Sequence, residues 1–147
     1  DRRILAVLRE DGRITNQDLS QRVGLSPTPC LRRLKRLEET GVIQGYTAVV
    51  DPKAYGLPFS VFVSVRLTQQ NQEQIAEFEK AVESWSEVAE CYLMTGSQDY
   101  LLRVVTDGIE GYERFLKQKA TRLKCIQSVE SNFALATIKK RSGLPPV

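Results

Sequence analysis

Four of the five residues from Arg32 to Arg36 are basic. Arg32, Lys35 and Arg36 fall with Thr28 opposite an apolar row, Cys30, Leu34 and Leu37 at i, i+4 and i+7, with Leu31 at its edge. Guanidinium and ammonium groups displayed along a helix bind phosphate oxygens and donate to base edges. Arg32 and Arg36 are like charges one turn apart, an arrangement that costs an isolated helix about 0.2 to 0.5 kcal/mol and that an anionic partner reverses. An ordinary solvated helix face is the alternative, so the segments around the row decide between the two.

Other chemistry is largely excluded by residue type. The chain has no histidine, which removes the common zinc sites and every histidine-based triad. Its three cysteines, Cys30, Cys91 and Cys125, are odd in number, far apart and without a Cys-x-x-Cys pair, so each is expected as a small buried hydrophobe. Glu87 and Glu90 are the carboxylates that could be proposed as an acid and base. No nucleophile, metal cluster or phosphate loop joins them, so neither an enzyme nor a cofactor is expected.

The segments around the basic row fit DNA. Thr15 is an N-cap and Asp18 places negative charge in the first turn, predicting a helix over 16–23 that Gly24 ends. Leu25 is the apolar residue of a tight turn, and Ser26 opens a second helix. Pro27 and Pro29 fall at its first and third positions, where a backbone N–H has no intrahelical partner to lose. With no N–H on Pro29, the Ser26 hydroxyl is expected to accept from Thr28. Two short helices joined in this way are a helix-turn-helix, whose second helix enters the major groove with its first half. The residues expected to touch DNA are Ser26, Thr28, Arg32, Arg33, Lys35 and Arg36.

At 147 residues the chain has room for two small domains. The net charge of +3 is too small to argue for nucleic acid by itself, so the placement of the basic residues carries the argument. Ile4, Leu5, Val7 and Leu8 give a preceding helix an apolar face, and Asp11-Gly12-Arg13 ends it. After Gly41, two short strands, 42–44 and 46–50, are expected to bend at Gly45 into a small wing. Asp51-Pro52 and Gly56-Leu57-Pro58 mark a hinge.

Beyond the hinge the period changes to two. Val61, Val63, Val65 and Leu67 alternate with Phe62, Ser64 and Arg66 as a strand. Ile75, Phe78, Val82 and Trp85 make a helix face. Strands follow over 88–94 and 100–106, then a helix with Ile109, Tyr112, Leu116, Ala120 and Leu123 on one face, and a last strand over 128–138 with Phe133 and Leu135 on one side. The order is the split βαβ, or ferredoxin-like, arrangement. The fold class is therefore α+β: a winged helix-turn-helix domain (1–50), a linker (51–60) and a ferredoxin-like effector and oligomerisation domain (61–147). The helices cover one sheet face, and the other is expected to meet a partner sheet. No apolar run reaches the roughly 20 residues of a membrane helix, and no signal peptide is present, so a cytoplasmic protein is expected. No methionine precedes Asp1, which implies that native residues come before it.

Three stretches carry a family resemblance: Asp1-Arg2-Arg3-Ile4-Leu5, the run GLSPTPCLRRLKRLEETGVIQGYTA from Gly24 to Ala48, and Gly96-Ser97-Gln98-Asp99-Tyr100. They resemble the leucine-responsive and asparagine-regulator (Lrp/AsnC) family of prokaryotic transcription regulators along nearly the whole chain. The SPTPC run is closest to the leucine-responsive branch. Ser131-Asn132-Phe133-Ala134 with Leu144-Pro145-Pro146 is more similar to branches that answer to other amino acids.

The resemblance implies a cytoplasmic, nucleoid-associated regulator of amino-acid metabolism. It implies dimers that pair sheet to sheet and assemble further, often to octamers. A free amino acid, leucine or another small one, then binds between dimers. The loop Thr95, Gly96, Ser97, Gln98, Asp99 and Tyr100 belongs to that pocket. A free amino acid needs an anion beside its ammonium and N–H groups beside its carboxylate, and a glycine-containing loop ending in Asp99 can offer both. A bare turn between strands would use the same residues.

Two rival functions are an RNA-binding module on the ferredoxin-like half and an amino-acid-binding enzyme or regulatory subunit. An RNA module of this topology stacks bases on strand aromatics, whereas Leu101-Leu102-Arg103-Val104-Val105 is mostly aliphatic.

Overall fold

The computed structural model describes residues 1–140. The terminal Leu144-Pro145-Pro146 and the end of the domain expected to reach 147 lie outside the described residues. Residues 1–49 and 50–137 gather into two compact units.

The first unit is three helices, α1 (Arg2–Glu10), α2 (Asn16–Val23) and α3 (Pro27–Glu39). Local chemistry sets the bounds of α2. The Thr15 hydroxyl accepts from the Asp18 backbone N–H at 3.1 Å and donates to its carboxylate at 2.7 Å. Gly24 closes the helix in the left-handed region at φ 71°, where a side chain would be strained. Ile4, Leu19, Val23, Cys30 and Leu37 form the buried core, with Leu5, Val7, Leu8, Leu25 and Leu34 packed around it.

Two expectations for this unit are corrected. Ser26 occupies the N-cap of α3, but its side chain makes no capping hydrogen bond. The fixed φ of Pro27 starts the helix without one, and the Asn16 side-chain amide donates to the Pro27 carbonyl at 3.0 Å, joining the first turns of α2 and α3. The hairpin expected over 42–50 is absent as a ladder: no strand is assigned there. Arms this short form few ladder bonds, and Tyr46, Val49 and Val50 stay exposed. The Tyr46 hydroxyl instead donates to Glu38 at 2.9 Å and holds the segment to α3.

The second unit is a four-stranded antiparallel sheet, β1 (Phe59–Leu67), β2 (Val88–Leu93), β3 (Tyr100–Thr106) and β4 (Ile126–Phe133), in the order β2-β3-β1-β4. Helices α4 (Gln72–Ser84) and α5 (Ile109–Gln118) complete the expected ferredoxin-like order. The period-2 pattern sorts the sheet. Val61, Val63, Val65, Leu67, Leu102 and Val104 are buried against Phe78, Trp85, Tyr112 and Phe115. Each such side chain contributes about 1.5 to 3 kcal/mol relative to exposure.

The unit also departs from expectation at several points. β1 begins at Phe59, inside the stretch 51–60 read as a linker, whose start is a turn closed by Tyr55 N–H to Asp51 O and Leu57 N–H to Pro52 O, both 2.9 Å. The last strand stops at Phe133, and Leu135 is fully exposed. Phe133 pairs with Val61, the last rung between β4 and β1. α5 ends at Gln118 and passes into a 3-10 turn, Ala120–Arg122. Phe115 rather than Ile109 faces the core. Cys30 and Cys125 are buried as expected, but Cys91 is exposed because β2 is an edge strand with little packed over it. The open sheet face is less aliphatic than expected: Leu102 and Val104 point to the core, while Arg103 is in register with Phe62 and bound to Glu90 at 3.0 Å.

Candidate nucleic-acid interface and effector loop

The basic row is displayed as its spacing predicts. Thr28, Arg32, Arg33, Lys35 and Arg36 are exposed on α3 and, with Leu31 and Glu39, line one open concavity. Ser26, also exposed, stands at the head of that helix. Arg32 and Lys35 have no ion-pair partner among the described residues. Arg33 and Arg36 share one: Asp1 accepts from Arg36 at 2.8 Å and from Arg33 at 3.3 Å. Sequence reasoning missed this link, since Asp1 and the arginines lie 32 and 35 positions apart and no local pattern ties them. A helix face of this kind presents two unengaged cations and a hydroxyl to an anion, with two further cations already held in place.

The loop between β2 and β3 is anchored at its far end. Asp99 O accepts from Met94 N–H at 2.8 Å, and Asp99 N–H donates to Val65 O at 2.9 Å. Its carboxylate accepts from Leu67 N–H at 2.7 Å and from the Gln70 side-chain amide at 3.2 Å. Asp99 thus carries the loop on the end of β1, and Gln70 is a member of the site that the sequence did not reveal. Thr95, Gly96 and Ser97 are exposed, with Gly96 at φ 108°. Gln98 is half-buried, and its side-chain carbonyl is buried without a partner.

Tyr100 differs from its neighbours. It is buried, its ring centroid lies 4.4 Å from that of Phe78, and its hydroxyl donates to Glu79 at 2.9 Å. Burial first, then the Glu79 hydrogen bond and charge, push its hydroxyl far up from the ordinary tyrosine value. Its side chain anchors the loop to α4 and is closed to a ligand, which corrects its expected place as a pocket side chain.

The two carboxylates that could have suggested acid-base chemistry are both ion-paired. Glu90 holds Arg103, and Glu87 holds Lys119 at 2.6 Å. Burial alone would raise the Glu87 carboxyl. The Lys119 hydrogen bond, a backbone bond and the Lys119 charge outweigh it, and the group lies below the ordinary carboxylate range. A carboxyl lowered by folding contributes stability above its unfolded pKa, and this contribution disappears as pH falls through the folded value. Lys119→Met is therefore expected to cost no more than about 1 kcal/mol at neutral pH, the pair being nearly a third exposed, and to cost almost nothing in strong acid. Urea titrations at neutral pH and in the acid range check both halves.

Both units match known families. A model described as the Lrp/AsnC ligand binding domain matches residues 60–144, and one described as winged helix-turn-helix DNA-binding matches residues 1–44. The Bkd operon transcriptional regulator of Pseudomonas aeruginosa is 43% identical over 145 residues, covering 99% of this chain and 95% of its own. The leucine-responsive regulatory protein of Escherichia coli is 39% identical over 144 residues, with 98% and 88% covered. Among solved structures, a transcriptional regulator from Neisseria meningitidis in complex with L-Met superposes with a TM-score of 0.93 at 37% identity, covering 98% of this chain and 93% of that one. Escherichia coli AsnC superposes with a TM-score of 0.88 at 26% identity, with 98% and 95% covered. With the helix-turn-helix unit and the ferredoxin-like unit both accounted for in this way, the chain belongs to the Lrp/AsnC family of transcription regulators.

Proposed function

We propose that this regulator binds double-stranded DNA through Ser26, Thr28, Arg32, Arg33, Lys35 and Arg36 and answers to a free amino acid held at the loop 95–100. The observation that carries the DNA half is the exposed row on α3, where Arg32 and Lys35 have no ion-pair partner among the described residues and stand beside Thr28. Residues 1–50 serve as the DNA-binding domain, the stretch 51–58 as the join, and the residues from Phe59 on as the effector and oligomerisation domain. An enzyme is disfavoured, since Glu87 and Glu90 are each neutralised by a cation. The RNA reading is disfavoured by Arg103, tied to Glu90 at the centre of the open face, and competition between duplex DNA and single-stranded RNA tests it. Among the described residues no helix is long and apolar enough to cross a membrane. A DNA partner places the working protein in the cytoplasm, at the nucleoid.

The L-Met bound to the Neisseria relative supports an amino acid as effector and puts methionine beside leucine among the first to try. In a thermal-shift screen of the twenty amino acids, an effector at about 100 times its Kd adds about 2.7 kcal/mol of apparent stability. A flat response to all twenty would refute the effector reading.

The smallest working unit we propose is a two-fold dimer built on the open sheet face and assembling further, to an octamer. Phe62, 38% exposed at the middle of β1, supports that face. Dimers place two α3 helices on half-sites about 10 to 10.5 base pairs apart, or at multiples of that spacing. Phe62→Glu would set two carboxylates into the contact and is expected to shift the protein to monomer at micromolar concentration. Light scattering decides, and a wild type that is itself a stable monomer would contradict the dimer.

A further inference from the structure

Asp1 stands at the N-cap of α1, yet its side chain does not cap that helix. The backbone carbonyl does the local work, accepting from Leu5 N–H at 3.0 Å. The carboxylate, a third exposed, instead crosses to α3 and lies between two guanidinium groups: Oδ2 is 2.8 Å from Arg36 and Oδ1 is 3.3 Å from Arg33. These arginines are three residues apart on one helix, and as neighbouring like charges they repel unless an anion separates them. The DNA-facing row is thereby divided. Arg32 and Lys35 have no ion-pair partner among the described residues, while Arg33 and Arg36 already hold a carboxylate where a phosphate could otherwise sit.

We propose that Asp1 is a positioning residue for DNA contact, an internal anion that fixes Arg33 and Arg36 against α1 and withholds part of their charge from DNA phosphates. The inference rests on the DNA-binding reading of α3. Nonspecific affinity is set by how many phosphates the cations neutralise, and each is read as a step in the salt dependence of binding. A carboxylate competing for two of those cations therefore lowers affinity for any duplex and favours sites where Arg32 and Thr28 find their own partners. An ordinary N-cap would leave the salt dependence untouched.

The test uses the full chain and a labelled random-sequence duplex, with fluorescence anisotropy over a salt series. Asp1→Asn is expected to bind several-fold more tightly at low salt, with the slope of log K against log salt steeper by about one. In an Arg33→Gln, Arg36→Gln background the same Asp1→Asn change is expected to alter neither quantity. An unchanged slope in the single variant, or a change that persists without the two arginines, overturns the proposal. If circular dichroism finds Asp1→Asn unfolded, Asp1→Ser, which restores a neutral capping hydroxyl, takes its place under the same criteria. Failure of the underlying DNA reading is seen separately, as wild-type protein that does not bind the duplex at any salt, and it removes this inference as well.

Discussion

Arg32→Ala should lower affinity for the protein's selected DNA site by about 1 to 3 kcal/mol, tenfold or more near the middle of that range, and relax preference at one base position. Arg32 lies early in α3, is exposed, and has no ion-pair partner among the described residues, so its guanidinium reaches DNA with nothing to give up. A bidentate pair to a guanine edge is the contact that geometry favours. Lys35 carries a point charge and is assigned to phosphate. Lys35→Ala should therefore weaken all duplexes alike and flatten the salt slope by about one without altering base preference. Selection from a random duplex pool with wild-type protein supplies the site, and anisotropy with single-base variants of it measures both quantities. An Arg32→Ala protein with wild-type affinity and wild-type preference at every position would remove Arg32 from the base-reading set.

The parts of this fold that were legible in the sequence are those decided within a few residues. α2 was read to its bounds because Thr15, Asp18 and Gly24 act on their own turns. The buried rows of β1 and α4 were read because period alone assigns a face, as at Val61, Val63 and Val65 or at Phe78. Misreadings arose where a partner distant in sequence decides the outcome. β4 ends at Phe133, whose pairing with Val61 is the last rung it shares with β1, and the sequence of 128–138 does not record where that pairing stops. Cys91 is exposed because β2 is an edge, a property of strand order rather than of residues 88–93. Val42 to Val50 has the composition of a hairpin, but Ile43 and Tyr46 are held by Leu37 and Glu38, more distant in sequence, and not by a facing arm.

The candidate site divides in the same way. The exposed face of α3 follows from helical spacing, so the sequence alone shows which basic residues it displays. Their pairing does not follow from spacing, and the tie from Asp1 to Arg33 and Arg36 emerges only when α1 is folded beside α3. In the effector loop the residue types were informative and their orientations were not. Tyr100 begins a strand with its side chain on the buried face, so period two sends it to Phe78 rather than to the loop surface. Asp99 is the reverse case. It is where an ammonium acceptor was expected, and its carboxylate is already receiving Leu67 N–H and the Gln70 amide.

Asp99 can therefore act in two ways, and two substitutions are expected to separate them. Asp99→Ala leaves the Leu67 N–H, belonging to a buried residue, without an acceptor, at a cost of about 1 to 3 kcal/mol, and frees the loop from β1. Effector binding is lost in that variant whether the carboxylate touches the ligand or only holds the loop. Asp99→Asn keeps an oxygen for Leu67 N–H, and Gln70 can turn its own carbonyl toward the new amide, so the melting temperature should stay close to wild type. The charge, however, is gone. A hydrogen bond to an ionised group is worth about 1.5 to 3 kcal/mol, so an ammonium that relies on Asp99 should bind Asp99→Asn at least tenfold more weakly. The influence of the amino acid on DNA binding should fall with it, and by linkage the influence of DNA on amino-acid affinity falls equally. Basal DNA affinity should persist in both variants, since α3 belongs to the other unit. Calorimetry with the amino acid found by thermal shift makes the measurement. Wild-type ligand affinity in Asp99→Asn, with loss confined to Asp99→Ala, would assign Asp99 to holding the loop and leave the ammonium to another acceptor.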